Sequence, residues 1–255
     1  MALGCHRGVD RIAMAVSFEN IGFLGFDIFG TVVDWRTSVA RTAAPFLERH
    51  GIEFDALTFA DEWRSLYQPS MQRIRSGERR WVRLDVLNRE NLETVLARHG
   101  ADLDTVSHDD LTGLNRAWEQ LDPWPDSVEG LSLLRTKFAI GALSNGHLAG
   151  MMKLARFGNL PWDIIVGAEI AQSYKPTPQT YLKSVDAAGF RPDQCAMVAA
   201  HNSDLEAARS VGLRTVFVRR PRENGPAQTT DLEAASDWDV VVDSLTEAAR
   251  VLGCA

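Results

Sequence analysis

The stretch Ile21-Gly22-Phe23-Leu24-Gly25-Phe26-Asp27-Ile28-Phe29-Gly30-Thr31-Val32-Val33-Asp34-Trp35 decides the architecture. Its first six residues form a short apolar run bracketed by glycine. The run is too brief for a helix and lacks the alternation of a half-exposed strand, so it reads as a strand buried on both faces. An aspartate stands at its end, followed by a Gly-Thr turn. Similar runs recur at 138–143, 163–167, 195–199, 214–218 and 239–242, separated by helical patterns at 127–136, 148–157, 178–188, 205–211 and 244–252. This alternation predicts an α/β fold, a doubly wound parallel sheet with a Rossmann-like core. Such sheets bind ligands beyond the carboxyl ends of their strands.

Residues 36–126 interrupt the alternation. Helix-length amphipathic stretches at 38–50, 59–76, 83–99 and 109–121 follow one another with no strand-like run between them. They read as a helical cap inserted after the first strand, with Pro123-Trp124-Pro125 marking the return to the core. The expected organisation is an N-terminal extension over 1–20, a core over 21–35 and 127–255, and a cap over 36–126. The segment 219–231 (RRPRENGPAQTTD) reads as a polar surface loop.

Composition removes several function classes. The 255 residues are 45% hydrophobic and 24% charged, the balance of a folded globular chain. With 27 Lys+Arg against 34 Asp+Glu the formal charge is −7, so no basic face is available for nucleic acid. No apolar run approaches the ~20 residues of a membrane span, and His6, Arg7, Asp10 and Arg11 break up any secretory signal. Cys5, Cys195 and Cys254 are an odd, widely spaced set, which argues against a disulfide framework and points to a reduced, cytoplasmic setting. No G-x-G-x-x-G follows a strand, so no organic cofactor is implied.

Polar residues follow four of the strand-like runs. Asp27 and Thr31 follow the first; Ser144-Asn145 follow 138–143; Lys175, between Tyr174 and Pro176, lies beyond 163–167; His201 and Asp204 follow 195–199. Each has an ordinary structural explanation: a turn-capping Asp, helix-capping Ser and Asn, a solvated Lys, an Asp at a helix start, a loop His. Together they supply a nucleophilic carboxylate, a cation to keep it ionised, and an anion cradle at helix starts.

Asp27-Ile28-Phe29-Gly30-Thr31, Ser144-Asn145, Lys175-Pro176 and Asp204 resemble, in order and strand context, the four motifs of the haloacid dehalogenase superfamily. The helical insert is similar to that superfamily's C1-type cap. Its phosphatases carry a second acid two residues after the nucleophile and hold Mg²⁺ with acids of the fourth motif. Here Phe29 stands at the first position, and Ala199, Ala200, His201 and Asn202 precede Asp204. A halide leaving group needs no general acid, and the first motif is similar to the L-2-haloacid dehalogenase branch, which carries an aromatic at that place.

The resemblance implies metal-independent hydrolysis of a small 2-haloacid, with L (S) preference, and a homodimer. It assigns Asp27 as nucleophile with Lys175 and Asp204 as its charged partners. Ile28, Phe29, Thr31, Ser144, Asn145 and Tyr181 are the expected substrate-binding residues. The branch has Tyr at the place of Phe29, Ser at that of Ala199 and Asn at that of His201. The imidazole of His201 is therefore a candidate base for the hydrolytic water, oriented by Asp34 or Asp204. The branch's halide-binding cap arginine has Arg41 and Arg64 as candidates, with Gln68 as a further donor. Trp35, Trp63 and Tyr67 are candidate pocket aromatics. An Mg²⁺-dependent phosphatase on the same fold and a non-catalytic ligand-binding protein are the competing readings.

Overall fold

A computed structural model describes residues 18–254; Cys5 and residues 1–17 of the expected N-terminal extension lie outside the described residues. The core is a six-stranded parallel sheet. Strand β1 (Phe23–Phe26) is central and fully buried, which is why its sequence is continuously apolar. Next come the two-residue β2 (Val33–Asp34) and the inserted helices α1 (Trp35–Arg49), α2 (Ala56–Ser65), α3 (Tyr67–Arg75), α4 (Leu84–Arg98) and α5 (His108–Asn115). A 3-10 turn at Arg116–Glu119 leads into β3 (Asp122–Pro123), which pairs antiparallel with β2. The chain thus leaves and re-enters the core at one place. Trp124 N and Ser127 Oγ both donate to the Val32 carbonyl, at 3.0 and 2.7 Å, fastening that junction.

The core resumes with α6 (Ser127–Leu134), β4 (Ala139–Ser144), α7 (Leu148–Phe157), β5 (Ile164–Gly167), the short α8 (Ala168–Ala171) and α9 (Pro178–Ala187). It ends with β6 (Cys195–Ala199), α10 (Asn202–Ser210), β7 (Arg214–Val218), β8 (Val240–Val242) and α11 (Leu245–Val251). The spatial order is β5-β4-β1-β6-β7-β8. From β1 the sheet is wound in both directions, so the crevice of the sheet lies at its carboxyl end, where Asp27 emerges.

The expected helix at 59–76 is two helices that meet at Leu66. Pro69 explains the break, because a proline has no N–H to continue a helix and is tolerated only in a first turn. The expected stretch at 109–121 ends as α-helix at Asn115 and tightens into the 3-10 turn. The segment 219–231 departs further from expectation. It has no helix or strand, yet Arg220 and Glu223 are only 8% and 3% exposed. Among the described residues, no helix is long and apolar enough to cross a membrane.

Candidate active site

Five segments converge beyond the carboxyl end of β1. The nucleophile loop supplies Asp27, whose backbone N–H still donates to the Val198 carbonyl at 3.0 Å, extending the sheet's pairing by one residue. Lys175 Nζ, from the loop before α9, donates to Asp27 Oδ1 at 2.9 Å and to Asp204 Oδ2 at 2.5 Å. Thr31 Oγ1 donates to Asp27 Oδ2 at 2.8 Å, and His201 Nδ1 lies 3.1 Å from the same oxygen. Both carboxylate oxygens are therefore oriented by donors from three different loops.

The electrostatics follow from this packing. Burial disfavours the Asp27 charge, but the Lys175 ammonium and the His201 hydrogen bond outweigh it and hold the carboxyl well below the usual carboxylate range. Burial would likewise discharge Lys175, yet the charges of Asp204 and Asp27 keep it above the ordinary lysine value. Asp204 is pushed up by burial and by the Asp27 charge, against the pull of Lys175.

His201 is the centre of a second relay. Its Nε2 contacts both Glu223 oxygens, at 3.0 and 2.9 Å, and Trp35 Nε1 donates to Glu223 Oε1 at 3.2 Å. Burial works against a charged imidazole, but Glu223 and Asp27 on its two sides raise it well above the usual histidine value. The acidic partner is thus neither Asp34 nor Asp204. Asp34 caps α1 by accepting from Thr37 N at 3.1 Å, and the Asp204 oxygens are engaged by Lys175 and Tyr181. Gly30 makes the Glu223 contact possible. Its φ is +94°, and a Cβ there would lie 2.0 Å from Glu223 Oε1.

A cavity of about 240 Å³ opens beside Asp27. Of the expected site residues, Asp27, Phe29, Asn145, Lys175, His201 and Asp204 line it. Asn145 Oδ1 accepts from Lys175 N at 2.8 Å, leaving its Nδ2 as the donor it can offer a ligand.

The other four expected binding residues do not line the cavity. The Ile28 side chain packs into the core. The Thr31 hydroxyl donates to Asp27 and accepts from Ala200 N at 2.9 Å, which spends its one proton inside the protein. Ser144 Oγ accepts from Gly146 N at 3.0 Å, shaping the loop after β4. Tyr181 is fully buried and donates to Asp204 Oδ1 at 2.5 Å. None of the four lines the cavity: the Ile28 side chain faces the interior, and the hydroxyls of Thr31, Ser144 and Tyr181 brace neighbouring groups of the site.

The inserted helices place the candidate cap donors differently. Arg41 pairs with Asp122 on the surface, whereas Arg64 and Gln68 line the cavity. The Arg64 guanidinium sits 4.0 Å from the ring centre of Tyr67 and 5.4 to 5.8 Å from those of Trp35, Phe29 and Trp118. One of its nitrogens, Nη1, is buried and has no hydrogen-bond partner among the described residues. A cation caged by aromatic faces with an idle N–H suits a weakly hydrated anion. Trp63 lies outside the cavity, its Nε1 donating to the Asn88 carbonyl at 2.8 Å. Tyr67, Pro176, Ser203 and Asp231 complete the lining.

Two further bonds join the insert to the lysine loop: Arg75 Nη1 donates to the Lys175 carbonyl at 3.0 Å, and Tyr174 OH to the Val82 carbonyl at 2.8 Å. Arg75 also holds Gln68, through Nη2 to Oε1 at 3.2 Å.

Among the described residues, no group of three or more His, Cys, Asp or Glu side chains is arranged to hold a metal ion. The arrangement offers a fixed carboxylate whose ionised form Lys175 favours, an imidazole whose charge Glu223 and Asp27 favour, and the Arg64 guanidinium on the same cavity.

Comparison with known proteins bears on this geometry. Residues 24–212 match the family model of haloacid dehalogenase-like hydrolases. The crystal structure of the defluorinating L-2-haloacid dehalogenase Rha0230 is 46% identical, with a TM-score of 0.90 over 91% of this chain and 95% of that one. That of the L-2-haloacid dehalogenase PA0810 is 37% identical, with a TM-score of 0.87 over 92% of this chain and all of the other. An (S)-2-haloacid dehalogenase of Pseudomonas fluorescens is 25% identical over 84% of this chain and 90% of its own length. The chain belongs to the haloacid dehalogenase-like hydrolases, in their L-2-haloacid dehalogenase group.

Proposed function

We propose that this protein hydrolyses short L-2-haloalkanoates to 2-hydroxy acids through an ester on Asp27, with the inserted helices acting as a cap over the reacting centre. The carrying observation is the grip of Lys175, Thr31 and His201 on Asp27, opposite the caged Arg64. In the first step a carboxylate oxygen of Asp27 attacks the α-carbon from behind; the C–O bond forms as the carbon–halogen bond breaks. The halide leaves with the bond electrons toward Arg64. Asn145 Nδ2 is the donor proposed for the substrate carboxylate, and Phe29 and Tyr67 limit the space for the alkyl group.

The second step is assigned to His201. In the free enzyme the imidazole is charged, held between Asp27 and Glu223. Alkylation turns Asp27 into a neutral ester and removes one of those two anions, so the imidazole gives up its proton more readily. The neutral ring then takes a proton from water as the water adds to the Asp27 side-chain carbonyl carbon. Collapse releases the 2-hydroxy acid, whose new oxygen came from Asp27, and restores the carboxylate. The net proton leaves to solvent.

A panel of chloro-, bromo- and fluoroacetate and both 2-chloropropionate enantiomers, read by halide release, tests the substrate class. Turnover of phosphate esters dependent on Mg²⁺ and exceeding halide release would overturn the reading. For the route, a single turnover in water enriched in oxygen-18 is expected to label Asp27 and leave the first product unlabelled. Label in that first product instead would mean direct attack of water on the substrate.

The pH dependence has a definite sign. Ester hydrolysis needs neutral His201, so its rate rises as pH climbs through the His201 pKa. Glu223 raises that pKa. Glu223→Gln is therefore expected to move the rising limb to lower pH by about one unit, while slowing the plateau because the ring loses its anchor. Stopped-flow or quench measurements across the limb check it; an unmoved limb would remove His201 from the water step.

A further inference from the structure

The loop that carries Glu223 is held by one buried arginine. Arg220 is 8% exposed, and its Nε donates to the Thr31 carbonyl at 2.9 Å. Its two terminal nitrogens form a fork on the Asp126 carboxylate at 2.8 and 2.9 Å. Asp126 also accepts from Leu245 N at 2.7 Å, which fixes it to the start of α11. The guanidinium lies 5.7 Å from the ring centre of Trp124, whose Nε1 donates to the Gly30 carbonyl at 2.8 Å. Finally, Glu223 N donates to the Arg220 carbonyl at 3.1 Å, closing the turn between them.

The nucleophile loop, the return from the insert and the turn bearing Glu223 meet at this one side chain, and Asp126 ties the start of α11 to it. A planar fork with three fixed donors sets orientation as well as distance, which a lysine cannot reproduce. We propose that Arg220 is a positioning residue that sets Glu223 against His201, and so tunes the base of the second step. The proposal rests on the reading of His201 as that base. Besides Glu223, His201 faces Asp27, with Lys175, Asp204, Arg64 and Asp231 around the shared cavity. Arg220 hydrogen-bonds to none of these side chains.

The experiment measures the pH dependence of ester hydrolysis and the rate of the halide burst in Arg220→Ala, Arg220→Lys, Glu223→Gln and the double variant Arg220→Ala/Glu223→Gln. Arg220→Ala and Arg220→Lys are both expected to move the rising limb to lower pH, in the direction of Glu223→Gln. The double variant should lie no further than Glu223→Gln alone, because both changes act through one carboxylate. Asp126→Asn, which keeps the shape and removes the charge, gives the same reading if Arg220→Ala does not fold.

An unmoved limb in the Arg220 and Asp126 variants would overturn the proposal. So would a slowed halide burst with the limb in place, which would put Arg220 behind Thr31 and Asp27 instead. If Glu223→Gln itself leaves the limb in place, the base reading falls and this proposal with it, which is a separable result.

Discussion

Asp27→Asn releases no halide from chloroacetate or L-2-chloropropionate above background, a loss expected to be at least about 10⁴-fold. The amide is nearly isosteric, so Lys175 and Thr31 still surround it. What disappears is the anionic oxygen. A carboxylate in water is a poor nucleophile because water stabilises it; here that shell is replaced by fixed donors in a buried site. An amide oxygen has no comparable electron pair to offer carbon. The variant should fold but melt at a lower temperature, since Lys175 and His201 lose the anion held between them. Halide release within tenfold of the wild type would end the covalent proposal.

Arg64→Ala is expected to lower kcat/KM by about 10²- to 10³-fold, with most of the loss in the alkylation step. The developing halide charge needs a receptor aimed at it before the bond breaks, and among the described residues Arg64 is the one cation of the inserted helices that lines the cavity. Arg64→Lys should recover part of the loss. A lysine restores a point charge but not a planar group that stacks on Tyr67 and Trp35. The Arg41→Ala variant serves as the control, because Arg41 pairs with Asp122 at the surface and should change activity by less than about threefold. Equal losses in the two variants would take the halide away from Arg64.

The parts of this site that were legible in the sequence share one property. Asp27, Asn145, His201 and Asp204 lie just beyond runs that pack as parallel strands, and Lys175 follows β5 after one short helix; there the apolar pattern is strong and fixes which segments reach the crevice. Thr31, Ser144 and Tyr181 were legible as positions, but their bonds to Asp27, Gly146 N and Asp204 were not. Whether a hydroxyl meets a ligand or a neighbouring backbone N–H depends on contacts across the fold.

Arg64 could not be separated from Arg41 because amphipathic helices alone do not reveal their order of packing; Tyr67, one turn on from Trp63, was the available hint. Glu223 was illegible. It sits among mixed charges in a segment with no periodicity, and such segments ordinarily face water. The local clue was Gly30, a residue without a side chain at a turn that another segment must approach closely.

The hydrogen bond from Arg75 to the Lys175 carbonyl bears on how this enzyme tolerates change. The seating of α3 and the aim of the ammonium are mechanically linked, since both run through one peptide unit. Libraries that loosen α3 to admit bulkier acids will therefore tend to blur the nucleophile's alignment as well. Breadth of substrate and speed on the smallest substrate should trade against each other along that helix.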